Sequence, residues 1–448
     1  MYNFLPITFQ NIACSMAGRI IARKRYGTHF KETLELFLKS QWWDSKDLKQ
    51  YRNTRLHKFV KFCYSCVPYY NKLFKKLNIN PDVILNLNDL SKYLPILTKD
   101  TVRNHFDEFI PTTIKQYKLH DLQTSGSTGS GLKFSTTSEA LQEQHAIYWR
   151  ALKVAGANKN MWRASFGGHP IVPINQKKPP FWRHNIFGHQ ILYSGYHINR
   201  GNVKFYVEHL NKKKIKWIHG YPSLISLIAS YIIEDNHLMT HKINYITVSS
   251  ENLTHKQANL IKTAFGVEPI QSYGTTEATG GAFECEFGNL HIDEEFVAME
   301  FIPIGSNQYK IIGTNFSNYA MPLLRYDNND IATITNERCV CGRQSRIIDD
   351  IDGREEDYIV LPDGTKIGRL DHLFKDMIEV REAQILQQDE QIKFLVSKTK
   401  KYSKKHEQIL KTKINKYLGK IEYSIIYTDN IARTKNGKLR FVIREKIK

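Results

Sequence analysis

The chain has 448 residues, which exceeds the usual size of one hydrophobic core, so we expect at least two domains. Its net charge of +20 favours anionic partners such as nucleotides, acidic sugars or lipid headgroups. No nucleic-acid-binding motif accompanies this charge, and no run of about 18 apolar residues occurs, so neither nucleic acid nor a transmembrane helix is predicted. Six cysteines in a chain this long do not predict a disulfide scaffold, and a reduced cytoplasm is the expected location.

The chain begins with a region of helical pattern. Apolar and charged residues alternate at helical spacing over about the first 60 residues, which predicts a helical entry over 1–70 that Pro68 ends. Residues 1–21 mix apolar and polar side chains ahead of a basic cluster, which is the reverse of a secretory signal. They predict a helix packed on the body of the protein, with a helix on a membrane surface as the alternative.

A body of alternating strands and helices follows. Residues 139–156 have the pattern of a helix. The β-branched runs at 217–219 and 243–248 precede helical patterns at 223–233 and 254–265. This alternation predicts an α/β fold with parallel strands.

The composition changes near residue 350, where 349–357 is an acidic, polar link. Short strand-like runs, a Pro-Asp-Gly turn and a charged helix near 403–418 come after it. These features predict a small α+β domain of about 95 residues. We therefore predict a large N-terminal α/β domain over 1–352 and a small C-terminal α+β domain over 353–448.

The most informative stretch is Thr-Ser-Gly-Ser-Thr-Gly-Ser-Gly at 124–131. Glycine lets backbone N–H groups turn toward an anion and hydroxyls add hydrogen bonds, so the stretch suits a loop that wraps a polyphosphate. It is not a Walker A loop, because Gly131 is followed by Leu132 and Lys133. By itself, such a composition is also that of an ordinary solvated loop.

Four further motifs follow this loop in order, namely Tyr273-Gly274-Thr275-Thr276-Glu277, Arg325-Tyr326-Asp327-Asn328-Asn329-Asp330, Gly353-Arg354 and Thr434-Lys435-Asn436-Gly437-Lys438. The ordered series resembles the adenylate-forming superfamily. Within it the chain is most similar to the phenylacetate–CoA ligase family and its CapK-like branch, on the residues Val67-Pro68-Tyr69-Tyr70, Phe166-Gly167-Gly168-His169-Pro170 and Cys339-Val340-Cys341-Gly342-Arg343. The matching patches extend over nearly the whole chain.

The resemblance implies a domain arrangement and a reaction. A large adenylation domain would be joined to a small mobile domain through a hinge, where Glu356 stands in place of the usual Asp. The enzyme would use ATP and Mg²⁺ to make an acyl-adenylate, release pyrophosphate and transfer the acyl group to CoA or to an amine in surface-polysaccharide synthesis. The alternatives are a ligase that forms an acyl phosphate and a catalytically degenerate scaffold of a polysaccharide-assembly complex. A homodimer and peripheral membrane contact are also compatible with the sequence.

The glycine-rich loop is implied to hold the β- and γ-phosphates of ATP. Its residues for this role are Ser125, Gly126, Ser127, Thr128 and Gly129. The loop has Ser130-Gly131 where relatives commonly have Lys-Pro. One phosphate-binding cation is therefore missing or displaced, and Lys133 is the candidate replacement.

The second motif is implied to hold adenine, the α-phosphate and the metal ion. Tyr273 would lie against adenine in the turn that Gly274 and Thr275 continue, and Thr276 would hydrogen-bond the α-phosphate. Glu277 would bind Mg²⁺, a hard cation that prefers carboxylate oxygens. The structural alternative is a strand-to-helix turn capped by Thr and Glu.

The remaining nucleotide contacts are implied at three places. Asp330 would hold the ribose hydroxyls, after a turn in which Asn329 replaces the usual glycine, since asparagine tolerates the left-handed backbone. Arg354 would be the nucleotide-binding arginine, although a surface arginine in a turn is the alternative. Ser250 and Glu251 resemble the strand end beside adenine.

Lys438 is the strongest single catalytic candidate. The resemblance implies that its ammonium reaches between the α-phosphate and the substrate carboxylate. A lone mobile ammonium suits charge that appears only in the transition state. Lys435-Asn436-Gly437-Lys438 also predicts a hairpin turn, and the two interpretations are compatible because a hairpin tip would deliver the lysine.

Two further groups of residues are singled out. His219, Tyr221 and Pro222 lie where relatives build the wall of the acyl pocket, although a packed strand-end histidine explains the first equally well. A tetrahedral zinc site is predicted, with buried free thiols as the alternative. Its four ligands would be Cys285, His291, Cys339 and Cys341.

Overall fold

The computed structural model describes residues 2–123, 132–305, 307–354, 358–362, 365–368, 370–374, 377–419, 421–434 and 437–445. At 354, 366, 371 and 372 it describes the backbone alone. Over these residues the α-helices are α1 (Ile7–Arg25), α2 (Thr28–Ser40), α3 (Ser45–Cys66), α4 (Pro68–Lys76), α5 (Leu87–Tyr93), α6 (Lys99–Asn104), α7 (Ser138–Val154), α8 (Val203–Lys213), α9 (Pro222–Glu234), α10 (His255–Phe265) and α11 (Lys404–Leu418).

The strands of the described residues alternate with these helices. They are β1 (Leu119–Gln123), β2 (Lys133–Thr137), β3 (Arg163–Gly167), β4 (Trp182–Asn185), β5 (Gln190–Ser194), β6 (Trp217–Gly220), β7 (Tyr245–Ser249), β8 (Pro269–Gly274), β9 (Gly281–Glu284), β10 (Leu290–Ile292), β11 (Ala298–Gly305), β12 (Gln308–Thr314), β13 (Tyr326–Thr335), β14 (Ile347–Arg354), β15 (Ile359–Val360), β16 (Lys366–Ile367), β17 (Val380–Gln388), β18 (Gln391–Lys398), β19 (Tyr423–Tyr427) and β20 (Val442–Glu445).

The helices agree with the sequence pattern except near residue 68. Helices α7, α9, α10 and α11 lie where they were predicted. Pro68 does follow the end of α3, but it also occupies the first turn of α4, where a missing N–H costs nothing, so the helical region continues to Lys76. Within the described part of the chain, no helix has the length and apolar character needed to cross a membrane.

The chain divides into two compact units. The first unit contains Met1–Arg19, Ala157–Ile270 and Gly353–Lys448, and the second unit contains Ile20–Gly156 and Gln271–Asp352. The C-terminal segment is thus grouped with residues of the middle of the chain. The domain division at residues 352 and 353 stays a prediction.

A sheet of four parallel strands with one antiparallel edge strand, β4, forms the body of the first unit. The strand order is β7-β6-β3-β5-β4, and β3 pairs in parallel with both β5 and β6, as β6 does with β7. Apolar side chains such as Phe166, Ile218 and Val248 form its buried core. The chain leaves β6 at Gly220, where an added Cβ would lie 2.0 Å from the carbonyl oxygen of Phe166, so only glycine fits.

The C-terminal segment of the first unit has its own sheet and core. The strand order is β19-β18-β17-β20, with β17 and β18 antiparallel and the two outer pairs parallel. Ile385 and Phe394 of the sheet are buried in one cluster with Leu410 and Ile414 of α11. Strands and a helix therefore share one core, as the sequence predicted for a small α+β domain.

The second unit contains helices and a largely antiparallel sheet. Its strand order is β11-β12-β13-β14-β10-β9-β8. The pairs β8–β9, β9–β10, β10–β14, β11–β12 and β12–β13 are antiparallel. Leu56, Phe59, Tyr70 and Phe74 of α3 and α4 lie in its core. Helices with mixed sheets confirm the predicted α/β fold class.

Candidate active site

A turn of the first unit carries Lys438. The N–H of Thr434 donates to the carbonyl oxygen of Lys438 at 3.0 Å, and the N–H of Lys438 donates to Oγ1 of Thr434 at 3.1 Å. Gly437 has φ +69°, and an added Cβ would lie 2.2 Å from Cα of Gly168. Glycine at 437 is therefore required both by the backbone and by this close approach. The described residues beside the turn, 431–434 and 437–440, do not form strands, and the central Lys435 and Asn436 lie outside the described residues.

The ammonium of Lys438 lies at the ends of two parallel strands. Its Nζ donates to the carbonyl oxygen of Ser250 at 2.8 Å and is 5.7 Å from the ring centroid of Tyr221. Ser250 directly follows β7, and Tyr221 directly follows β6. The carboxyl ends of neighbouring parallel strands are where α/β sheets bind ligands. The structure thus brings three predicted site residues, 221, 250 and 438, together at the carboxyl ends of β6 and β7.

Glu251 connects this turn to a helix. Its Oε1 accepts from the N–H of Leu439 at 2.9 Å, and its Oε2 accepts from the N–H of Ser223 at 3.2 Å. Ser223 is the second residue of α9, whose first N–H groups favour a negative charge. A residue that the sequence assigned to the adenine edge therefore also holds the backbone beside Lys438.

Arg433 is a further residue of the turn, and no role was predicted for it. Its guanidinium donates to Oγ of Ser223 at 2.8 Å and forms an ion pair with the buried carboxylate of Glu382. Burial raises the pKa of Glu382, although the charge of Arg433 opposes this shift. The signal available in the sequence was position alone, because Arg433 directly precedes the terminal motif.

The predicted acyl-pocket residues occupy the end of β6 and the start of α9. Nδ1 of His219 lies 2.9 Å from Oγ1 of Thr247, which also accepts from Nε1 of Trp217 at 2.9 Å. Burial, with a smaller contribution from the nearby charge of Arg163, lowers the pKa of His219 to about 3. The imidazole is therefore neutral near pH 7. Its contacts favour the interpretation as a packed strand-end histidine. Pro222 is the first residue of α9. The N–H at this position has no partner within a helix, so proline removes no helical hydrogen bond there.

The adenine and ribose candidates contact each other in the second unit. The hydroxyl of Tyr273 donates to Oδ2 of Asp330 at 2.7 Å. An added Cβ on Gly280 would lie 2.7 Å from the Tyr273 ring, so glycine makes room for that ring. Asn329 has φ +57°, which is the left-handed conformation for which asparagine was expected to serve. The two nucleotide-binding candidates, which lie on β8 and β13, thus contact each other, and their roles stay a prediction.

The turn after β8 presents Thr276 and Glu277 at the surface. Gly274 pairs with Gly281 in an antiparallel arrangement, so the chain continues into β9 and the strand-to-helix alternative is wrong. Oγ1 of Thr275 accepts from the N–H of Thr279 at 2.9 Å. This contact orders the turn while the Thr276 side chain stays exposed and Glu277 is partly exposed.

Some predicted site residues are not part of the described structure. Arg354 ends β14, but only its backbone is described. The phosphate-loop and hinge predictions lie outside the described residues, and they concern Ser125, Gly126, Ser127, Thr128, Gly129 and Glu356.

The second unit also brings the four predicted metal ligands together. The donor atoms of Cys285, His291, Cys339 and Cys341 all lie within 4.8 Å of one another. The sulfurs of Cys285 and Cys339 are 3.6 Å apart, and Nε2 of His291 is 3.3 Å from the sulfur of Cys341. In a tetrahedral zinc site with Zn–S bonds of about 2.3 Å, two sulfurs lie about 3.7 Å apart. The donor set and its spacing therefore fit this ion.

The surroundings of His291 support metal binding. Its Nδ1 lies 3.1 Å from Oγ of Ser345, which leaves Nε2 directed to the thiols. Burial, with a contribution from the charge of Arg343, lowers the pKa of His291 to about 4. The imidazole is therefore in the neutral form that binds metals, and a partner on its second nitrogen is the usual arrangement around a metal-binding histidine.

Comparison with solved structures shows which class of protein has this fold. The chain superposes on 2-hydroxyisobutyryl-CoA ligase, in the postadenylation state with R3-HIB-AMP, with a TM-score of 0.69 and 16% sequence identity over 91% of each chain. It superposes on the same ligase in the thioesterification state, with 2-HIB-AMP and CoA, with a TM-score of 0.57. The fold is that of the adenylate-forming ligases, with a large N-terminal and a small C-terminal domain.

Sequence comparison identifies the family within that class. The chain is 32% identical to Protein CapK of Staphylococcus aureus over 362 residues, which are 80% of this chain and 78% of that protein. It is 23% identical to a phenylacetate-coenzyme A ligase of Thermus thermophilus, over 70% of this chain and 72% of the relative. Residues 359–445 match the CapK C-terminal domain. The chain belongs to the CapK branch of the phenylacetate–CoA ligase family.

Proposed function

We propose that the protein is an AMP-forming ligase. It uses Mg·ATP to join a carboxylic acid to AMP, releases pyrophosphate, and passes the acyl group to a thiol or an amine. The observation that carries this proposal is the position of Lys438, whose ammonium lies at the carboxyl ends of β6 and β7 beside Ser250. Family membership supports it, since the relatives include phenylacetate-coenzyme A ligases.

The first half-reaction needs charge stabilisation more than covalent help from the protein. A carboxylate oxygen bonds to the α-phosphorus while the bond from that phosphorus to the pyrophosphate oxygen breaks. Negative charge develops on the α-phosphate oxygens, and the ammonium of Lys438 would neutralise it. Mg²⁺ would neutralise the departing pyrophosphate, with Glu277 as its ligand on the protein.

The turn that carries Lys438 has the support that such a role requires. Gly437 allows the close approach to Gly168, and Glu251 and Arg433 tie the neighbouring residues to the start of α9. A positioned ammonium loses less entropy when the substrates arrive, because its backbone is already ordered. These contacts belong to the conformation described, in which the C-terminal segment packs against α9.

The Cys₃His cluster is proposed to hold a structural Zn²⁺. Three thiols and one imidazole complete a tetrahedral shell, which leaves no open position for a substrate. The ion would tie the turn between β9 and β10 to the loop that precedes β14. This role is independent of the ligase chemistry.

The ligase proposal is tested by pyrophosphate release from Mg·ATP with a panel of carboxylic acids, using hydroxylamine as a general acceptor. We expect acid-dependent pyrophosphate and a hydroxamate of the same acid. Adding CoA or an amino sugar instead of hydroxylamine distinguishes a thiol from an amine acceptor. Release of phosphate instead of pyrophosphate would contradict the proposal and indicate that the enzyme forms an acyl phosphate. If the protein neither binds ATP nor forms product with any acid, a non-catalytic scaffold is favoured. The sequence argument for a scaffold is the departure from the common loop at Ser130-Gly131.

A further inference from the structure

Helix α1 has its polar face toward the protein. Gln10, Ser15 and Gly18 are its buried residues. Oε1 of Gln10 accepts from Nε of Arg183 at 2.6 Å, and the hydroxyl of Ser15 donates to the carbonyl oxygen of His184 at 3.1 Å. The helix is therefore attached through hydrogen bonds rather than through an apolar stripe.

The contact between α1 and the segment around β4 leaves little room for larger side chains. An added Cβ on Gly18 would lie 2.0 Å from Oδ1 of Asn185, and Oδ1 of Asn11 accepts from the N–H of His184 at 2.9 Å. Small and polar residues on this side thus meet the segment around β4 closely. The orientation of the helix is well defined by these contacts, so its opposite face is consistently directed outward.

The outward face of α1 is apolar. Its residues Phe9, Ile12, Met16 and Ile20 recur every three or four positions, which places them on one side of a helix. Their exposed fractions are 56%, 53%, 47% and 55%. A surface helix normally directs such a stripe toward the core. The inverted arrangement indicates that something other than the described residues covers this face.

A neighbouring turn enlarges the apolar surface. Ile186 and Phe187, which follow β4, are 60% and 48% exposed. The guanidinium of Arg19 lies 5.2 Å from the ring centroid of Phe187, so this turn is beside α1. Ile186, Phe187 and the four stripe residues together form the apolar face.

The charged residues of α1 itself are all positive. Residues 1–31 contain five Lys or Arg residues and no Asp or Glu. Arg19, Arg23 and Lys24 of α1 are exposed. A partner that covers the apolar face should therefore be both apolar and anionic.

We propose that helix α1 lies in the surface of an anionic lipid bilayer, with the apolar face in the acyl boundary and the arginines at the headgroups. Interfacial helices combine these two features, and each cation near an anionic surface strengthens binding about fivefold. A second copy of the chain fits less well, because a two-fold contact through the same face would bring its own cations together. This proposal is independent of the ligase reaction.

The test is co-sedimentation of the full chain with vesicles of phosphatidylcholine alone or with phosphatidylglycerol added. We expect binding to the anionic vesicles that weakens as salt is raised. The double variant Phe9→Ser/Met16→Ser should bind at least about tenfold more weakly, since two inserted side chains are lost. Arg19→Gln/Arg23→Gln should weaken binding about thirtyfold. Leu238→Ser is the matched control, because Leu238 is 76% exposed and lies outside the apolar face.

Circular dichroism and Tm of each variant establish that folding is preserved, which is expected because the changed side chains are exposed. Binding that is lost in both double variants and kept in Leu238→Ser supports the proposal. The proposal is overturned if the wild type binds neither kind of vesicle, or if all variants bind the anionic vesicles equally. Sedimentation velocity covers the remaining outcome: a dimer abolished by Phe9→Ser/Met16→Ser, without vesicle binding, would assign the face to a second copy and overturn the proposal.

Discussion

The turn that carries Lys438 and the Cys₃His cluster are both polar groups borne by loops, but they are built differently. In the cluster, four donor atoms converge within 4.8 Å and three of the four residues are buried. At the turn, the ammonium is partly exposed, donates to the backbone carbonyl of Ser250 and lies 5.7 Å from the ring centroid of Tyr221. Convergent buried donors serve stability, whereas a partly exposed cation beside ordered backbone is accessible to a substrate. Changes at the two regions should therefore separate activity from stability.

The largest effect is expected from Lys438→Ala. Loss of an ammonium that acts only on the transition state should lower acid-dependent pyrophosphate release by about 10²–10³-fold. The Tm should stay close to that of the wild type, because a partly exposed side chain is removed. Lys416→Ala, at an exposed lysine of α11, is the control. Unchanged pyrophosphate release in Lys438→Ala would remove this residue from the mechanism.

Glu277→Ala extends the comparison to the second unit, where this carboxylate is also partly exposed. Loss of a Mg²⁺ ligand should raise the Mg²⁺ concentration needed for half-maximal pyrophosphate release by about tenfold or more. The Glu277→Gln variant, which keeps the shape but not the charge, should show a similar shift. A wild-type Mg²⁺ titration in both variants would contradict the assigned role.

Substitutions in the Cys₃His cluster should lower stability and leave activity unchanged. Elemental analysis of protein purified without chelators is expected to show about one zinc per chain. Cys285→Ser should remove the metal and lower Tm by at least about 5 °C, while activity below the transition is kept. Cys66→Ser is the control, since Cys66 is a thiol of α3 outside the cluster. The zinc hypothesis is wrong if the wild type binds no zinc.

The smallest effect concerns the pH dependence of stability at His219. Its folded pKa of about 3 lies below the ordinary value of 6.5, because burial disfavours the charged imidazole. The unfolded chain therefore gains a proton first as pH falls, so the stabilisation present above pH 6.5 is lost on acidification. At pH 5 the loss from this group is about 2 kcal/mol.

His219→Asn should reduce the difference in unfolding free energy between pH 7 and pH 5 by that amount, as measured by urea titration. His255→Asn, at an exposed histidine of α10, is the control. Equal pH dependence in the wild type and in His219→Asn would show that the imidazole is not held neutral by the fold.

Much of the local structure follows from sequence. The helix at α10 begins at a capping box of Thr254 and Gln257 and ends at Gly266 in the left-handed conformation. Such signals involve residues a few positions apart, so they are readable without the fold. The Pro68 prediction failed in part, because proline is disfavoured inside a helix but well suited to its first turn.

The candidate site was only partly predictable from the sequence. The order of the motifs indicated Lys438, Glu277 and Asp330, because chemistry constrains residue types within short segments. The bridge that Glu251 makes between Leu439 and α9 joins residues 188 positions apart. No local pattern encodes such a contact.

By itself, the sequence determined the family, the alternation of strands and helices, and the residue types available for catalysis and metal binding. Only the tertiary structure brought Cys285 within 3.6 Å of Cys339, placed the Lys438 ammonium at the ends of β6 and β7, and turned the polar face of α1 inward. The physical reason is that periodicity and capping act over a few residues. Burial and hydrogen bonding are decided by which distant segments meet, and backbone groups such as those of His184 select polar partners wherever the chain brings them.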